Sequence, residues 1–148
     1  MFAFLLVVVV STHVVCNGEW IDALRMTQDS RVTFLGRHVA EEDAVLFDFV
    51  ATGFRLRNVA TSQFELNINA GCDDVRFGVF SGEEETLESE FKGINGNRTY
   101  KINTTSSTVT IRKITEPFGT KCTATKLYGA NLTFSSKPYV KVNKRTYF

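Results

Sequence analysis

Apolar side chains fall on alternate positions through much of the chain. Phe47 and Phe49 flank Asp48, Phe54 and Leu56 interleave with Arg55 and Arg57, and Phe64, Leu66 and Ile68 interleave with Glu65 and Asn67. Phe77 and Val79 stand either side of Gly78, Tyr100 and Ile102 of Lys101, Val109 and Ile111 of Thr110. Each run is short and rich in aromatic and β-branched residues, so each predicts a strand with one buried face and one wet face. Turn residues separate the runs at Thr52-Gly53, Ala70-Gly71, Ser81-Gly82, Asn95-Gly96-Asn97, Phe118-Gly119 and Gly129-Ala130-Asn131. Beyond the N-terminal apolar run no helical period is sustained, and Trp20 to Gln28 predicts one short helical turn at most. Eight to ten short strands within about 120 residues predict an all-β domain, a β-sandwich or barrel, and strands that alternate so cleanly suit two packed antiparallel sheets.

The first residues follow a different rule. Phe2 to Val10 is an unbroken apolar run. A spanning helix needs roughly 20 apolar residues, so this run has the length of a signal-peptide core instead. Small residues at Cys16 and Gly18 offer cleavage points, while the lack of a preceding Lys or Arg keeps a membrane anchor as the competing reading. A lipoprotein cysteine at Cys16 fits poorly, because bulky Val15 precedes it. The expected organisation is a signal peptide at 1–18, an N-terminal segment at 19–29, the sandwich at 30–140 and a C-terminal tail at 141–148. The mature chain is expected to be secreted and free of membrane. Three N-glycosylation sequons, at Asn97, Asn103 and Asn131, accord with export. Cysteine usage does too. Loss of the leader leaves Cys72 and Cys122, an even number in an oxidising compartment. A bridge between them, favoured here over two buried thiols, would close a loop of about 51 residues and stabilise by about 4 kcal/mol on the chain-entropy view.

Composition adds limits. A hydrophobic fraction of 43% with 12% aromatics is enough for one core, and thirteen Phe against one Trp is lopsided. The net charge of +1 is scattered, which leaves no electrostatic footprint for nucleic acid or an anionic membrane. The stretch "RVTFLGRHVAEED" sets His38 close to Glu41, Glu42 and Asp43. Acyl transfer needs a nucleophile and oxyanion donors besides a base, and there is no Gly-x-Ser-x-Gly elbow, so His38 reads as a strand-end residue before an acidic turn. One mature-chain histidine and two distant cysteines cannot fill a zinc site, and Gly82 to Glu90 lacks the spacing of a calcium loop. That acidic segment reads as a solvated loop that blunts a sheet edge. No metal and no cofactor is expected. Sugar binding by a sandwich calls for exposed aromatic faces, and the candidates are Trp20, Phe118, Tyr128 and Tyr139.

The order of motifs carries a resemblance. Gly36-Arg37, the acids Glu41 to Asp43, Phe47-Asp48-Phe49, Thr52-Gly53-Phe54 and Thr61-Ser62 follow one another as in the N-terminal β-sandwich of carbohydrate esterase family 2. Tyr100, Val109, Arg112-Lys113, Thr115-Glu116, Gly119 and Tyr128-Gly129 resemble its second half. Phe49 stands where that family usually has tryptophan, and Ala60 where glycine is common. The resemblance covers about residues 30 to 140 and implies a jelly-roll accessory module that precedes a Gly-Asp-Ser hydrolase domain acting on acetylated polysaccharide. The sequence reaches Phe148 about where that domain would begin, so no catalytic residue of the family transfers to it. The expected function is a secreted, non-catalytic accessory module associated with polysaccharide or another glycan. The alternatives are a fragment of an active esterase and a secreted interaction domain unrelated to carbohydrate.

Overall fold

A computed structural model describes residues 18–115 and 122–138. Residues 1–17 of the expected signal peptide at 1–18, Phe118, Tyr139 and the expected 141–148 tail lie outside the described residues. The elements are β1 (Glu19–Asp22), α1 (Ala23–Gln28), β2 (Val32–Leu35), β3 (His38–Ala40), β4 (Val45–Phe47), β5 (Gly53–Leu56), β6 (Gln63–Asn69), β7 (Val75–Ser81), β8 (Thr86–Gly93), β9 (Asn97–Asn103), β10 (Val109–Lys113) and β11 (Thr125–Leu132). They build two antiparallel sheets. One runs β3-β4-β11-β6-β9 with β1 also paired to β11, and the other runs β2-β5-β10-β7-β8. From β4 to β7 and again from β8 to β11 the chain changes sheet at every connection, so the two layers are laced together. This is the sandwich that the alternation predicts.

Strand β6 shows the rule at its plainest. Phe64, Leu66 and Ile68 are buried while Glu65 and Asn67 face outward. Phe54 and Leu56 of β5, Phe77 and Val79 of β7, and Val109 and Ile111 of β10 meet them from the opposite layer in one continuous core. Phe47 and Phe54 pack edge to face across it, ring centroids 6.4 Å apart. Short α1 closes one end. Asp22 caps it by accepting from the Arg25 N–H, and Ala23 and Met26 turn into the core.

Three expectations fail, each for a physical reason. Gly129-Ala130-Asn131 is no turn but the middle of β11, where Trp20 and the Ile21 carbonyl come too close for any side chain at Gly129. A bulge between Leu127 and Gly129 leaves Tyr128 without a pairing partner, which is the irregularity that the glycine signals. Phe49 is 52% exposed, because β4 ends at Phe47 and the alternation stops with it. The acidic segment is a turn only in part. Thr86 to Glu90 runs as the start of edge strand β8.

Cys72 and Cys122 come within disulfide distance, with Cα atoms 5.0 Å apart. The link joins the chain just after β6 to the chain just before β11, its neighbour in the sheet. At the core's far end Lys113 continues the inward row of Val109 and Ile111, its side chain fully buried and its Nζ donating to the Asp48 carbonyl at 2.9 Å. Asp29 and Arg31 form a nearly buried pair at 2.8 Å, and the Arg31 guanidinium stacks 3.8 Å over Phe134, pinning the chain after β11.

Two stability outcomes follow from this geometry. Replacing Cys72 and Cys122 together by serine should lower the unfolding free energy by up to about 4 kcal/mol, read as a shift of the urea midpoint. Gly53→Ala should cost about 1–3 kcal/mol, read by the same urea midpoint, because a Cβ there would overlap the Ile111 carbonyl across the β5/β10 ladder.

Candidate functional site

His38 opens β3, the edge strand of the six-stranded sheet, and is exposed. Its Nδ1 lies 3.0 Å from the Gly36 carbonyl oxygen. A carbonyl can only accept, so Nδ1 carries the hydrogen in this contact. The ring stacks on Phe34, centroids 5.0 Å apart. Among the described residues no serine hydroxyl and no carboxylate hydrogen-bonds to it. Glu41 turns away to Lys126, 3.9 Å distant. A shallow groove of about 280 Å³ beside His38 is walled by Arg37, Val39, Leu46, Asp48 and Phe49. It carries exposed apolar side chains at Val39 and Phe49, and its lining residues include no serine, threonine or cysteine to act as a nucleophile.

The acidic turn has a structural role. Between β7 and β8, Glu83 and Glu85 fold back onto the outer face of the five-stranded sheet. Glu85 Oε1 accepts from Arg55 and Arg112, both at 2.8 Å, and Glu83 accepts from Arg57 at 3.0 Å. Arg55 also donates to Thr110 and Arg57 to Thr33, so the cluster spans β2, β5 and β10. Further along, Glu88 accepts from Thr105 and Glu90 faces Arg76. These carboxylates are matched with cations and hydroxyls rather than gathered together. Among the described residues no three His, Cys, Asp or Glu side chains converge on a point that would hold a metal ion.

The other outer face, that of the six-stranded sheet, is polar, with amides around one cross-strand pair of opposite charges. Strand pairing sets Asn131, Glu65 and Lys101 in one cross-strand row and Gln63 beside Asn103 in another. Thr61, Gln63, Glu65, Lys101 and Asn131 wall a groove of about 240 Å³. Trp20 stands directly opposite Asn131 across β1 and β11, 48% exposed, with one side of its indole lying over Gly129. Tyr128 is half-buried at the bulge next to it. Of the aromatics expected to meet sugar, Trp20 and Tyr128 therefore fall together on β1 and β11.

The sandwich is similar to part of a solved carbohydrate esterase. The relative is a family two carbohydrate esterase from Cellvibrio japonicus, with a TM-score of 0.61 at 16% identity. The match takes in 82% of this chain and 35% of that one, so the chain spans about a third of the esterase's length. At that identity the likeness is one of fold. No protein-family model and no curated protein matches the sequence.

Sequence reasoning missed the arginine–glutamate cluster, because its members are scattered over three strands and a turn. It has a pH signature. Burial pushes the Glu85 carboxyl up, but hydrogen bonds from Arg112 and Arg55 outweigh it and hold the group below the ordinary 4.5. The hydrogen bond from Arg57 lowers Glu83 in the same way. As pH falls, the unfolded chain takes up protons at these positions first. The stabilisation is complete above about 4.5 and is lost as pH drops through the folded-state value. Glu85→Gln should cost about 1–2 kcal/mol at neutral pH and flatten the acid limb of a stability profile measured by urea unfolding.

Proposed function

We propose that the chain is an exported, non-catalytic accessory sandwich of carbohydrate-active architecture, and that its saccharide-facing surface is the outer face of the six-stranded sheet. One observation carries the first half. The fold match fills most of this chain yet only 35% of the esterase, so what the two share is a minority of that enzyme. Support for the second half comes from the groove walled by Gln63, Glu65, Lys101 and Asn131 with Trp20 beside it. Amides and carboxylates supply donors and acceptors for hydroxyls, and a half-exposed indole supplies an apolar face for a sugar ring. The disulfide accords with an oxidising compartment.

The same coverage favours a second reading, a piece of a longer esterase. The transcript beyond the Phe148 codon separates the two. An open frame encoding Gly-Asp-Ser after a short apolar strand would favour the esterase.

Purified chain should not hydrolyse aryl acetate or acetylated xylan above the buffer rate, and His38→Ala should leave that result unchanged. Turnover abolished by His38→Ala would overturn the non-catalytic reading. On oligosaccharide arrays, unglycosylated chain made in an oxidising bacterial compartment should retain sugar, and Trp20→Ala should weaken retention about tenfold or more. Equal retention by the two proteins would remove the outer face from consideration.

A further inference from the structure

Three sequons, two at the ends of one strand and one on another, fall on the same sheet. Asn97 and Asn103 are the first and last residues of β9, and Asn131 lies in β11, two strands away across β6. Residues directly opposite in a ladder point to the same side. Asn97 faces Asn69, Asn103 faces Gln63, and Asn131 faces Glu65, which in turn faces Lys101. Their neighbours Ile102, Leu66 and Ala130 are the inward set and are buried. All three acceptor asparagines therefore project from the outer face of the six-stranded sheet, and none from the face that the arginine–glutamate cluster occupies.

We propose that N-linked oligosaccharides on Asn97, Asn103 and Asn131 clothe this face, so that the first saccharide it meets is the chain's own. The proposal rests on the export part of the preceding reading and names the sugar for its saccharide-facing part. The amide orientations suit it. Gln63 Nε2 donates to Asn103 Oδ1 at 3.2 Å, which turns the Asn103 nitrogen outward. Asn131 Oδ1 is buried without a hydrogen-bond partner, which leaves Nδ2 as the outward end of that amide, on the wall of the polar groove. Asn97 is exposed. The chemistry is a transfer from a lipid-diphosphate-linked oligosaccharide by the secretory pathway's glycosyltransferase. The C1–O bond to the diphosphate breaks, a C1–Nδ2 bond forms, the amide loses one proton, and the lipid diphosphate departs. Transfer to a nascent chain precedes folding, so the folded constraint is that each carrier nitrogen must end up in solvent. A sugar on Asn131 would rest on Gln63, Glu65 and Lys101, with Trp20 on its other flank.

The test is site-by-site mapping. The full chain is expressed in a eukaryotic secretory host, collected from the medium and treated with peptide N-glycosidase in ¹⁸O-water. Peptide mass spectrometry then scores Asn-to-Asp conversion with label at positions 97, 103 and 131. Conversion at all three in most molecules is the expected result, and each of Asn97→Gln, Asn103→Gln and Asn131→Gln should remove one step in gel mobility. Secreted chain with any of the three positions unmodified in most molecules overturns the proposal. A second arm places a proven leader ahead of the full chain. Should the protein reach the medium only in that arm, export by its own leader is refuted, while the mapping still decides the glycan proposal. In native protein, release from Asn131 should be at least about fivefold slower than from Asn97, and Trp20→Ala should narrow the gap. Equal release would overturn the seating of that sugar in the groove.

Discussion

The sandwich depends on one late strand. β11 pairs with β4 through its first residues and with β1 through its last, both along one edge, and with β6 along the other. Without it the six-stranded sheet falls into the pairs β3–β4 and β6–β9 with β1 left unpaired, and the apolar faces of β4 and β6 have no shared layer. Such a strand, pairing only with segments distant in sequence, must wait for large loops to close before any of its bonds form. The Cys72–Cys122 link works on that cost. It ties the exit of β6 to the entrance of β11, so the two strands that must find each other are already tethered.

Both sheets place an aromatic ring on a glycine. Trp20 lies over Gly129 on one outer face and Phe80 over Gly78 on the other, and in each case the ladder shifts register close by. A glycine in a strand leaves backbone bare and loses conformational freedom, and a neighbouring ring restores cover. Trp20 thus has a structural task on its inner side while its outer side remains open to a ligand. Its two sides can serve both ends at once, which is why burial of half the indole does not argue against a sugar contact.

The strands with strict alternation, above all 64–68, 77–79 and 109–111, were legible because only a pleated strand turns every second side chain toward one buried face. Gly129-Ala130-Asn131 was misleading, since glycine marks both turns and bulges, and composition alone cannot tell a reversal from a close approach. Phe49 misled for a related reason. Alternation has no meaning past the end of a strand, and that end is set by the Ala51 and Thr52 turn, where Ala51 takes a positive φ of 69°. Of the candidate site, the residue identities were legible and the placement was not. Trp20, Tyr128 and the three asparagines could each be named from local pattern. That they share one sheet follows only from the β1/β11, β6/β11 and β6/β9 registers. The family resemblance read from motif order agrees with the fold likeness, and the place of His38 at the start of an edge strand agrees with its reading as a strand-end residue.

Lys113 has a consequence of its own. Its ammonium sits at the rim of the hydrocarbon layer with the whole side chain hidden from solvent. Acylating reagents attack only an unprotonated amine that they can touch. Most other lysines on this surface will react at once, while this one reacts only during moments when β10 and the Asp48 segment part. Its labelling rate is a built-in clock for breathing at that mouth of the sandwich, read without any engineered residue.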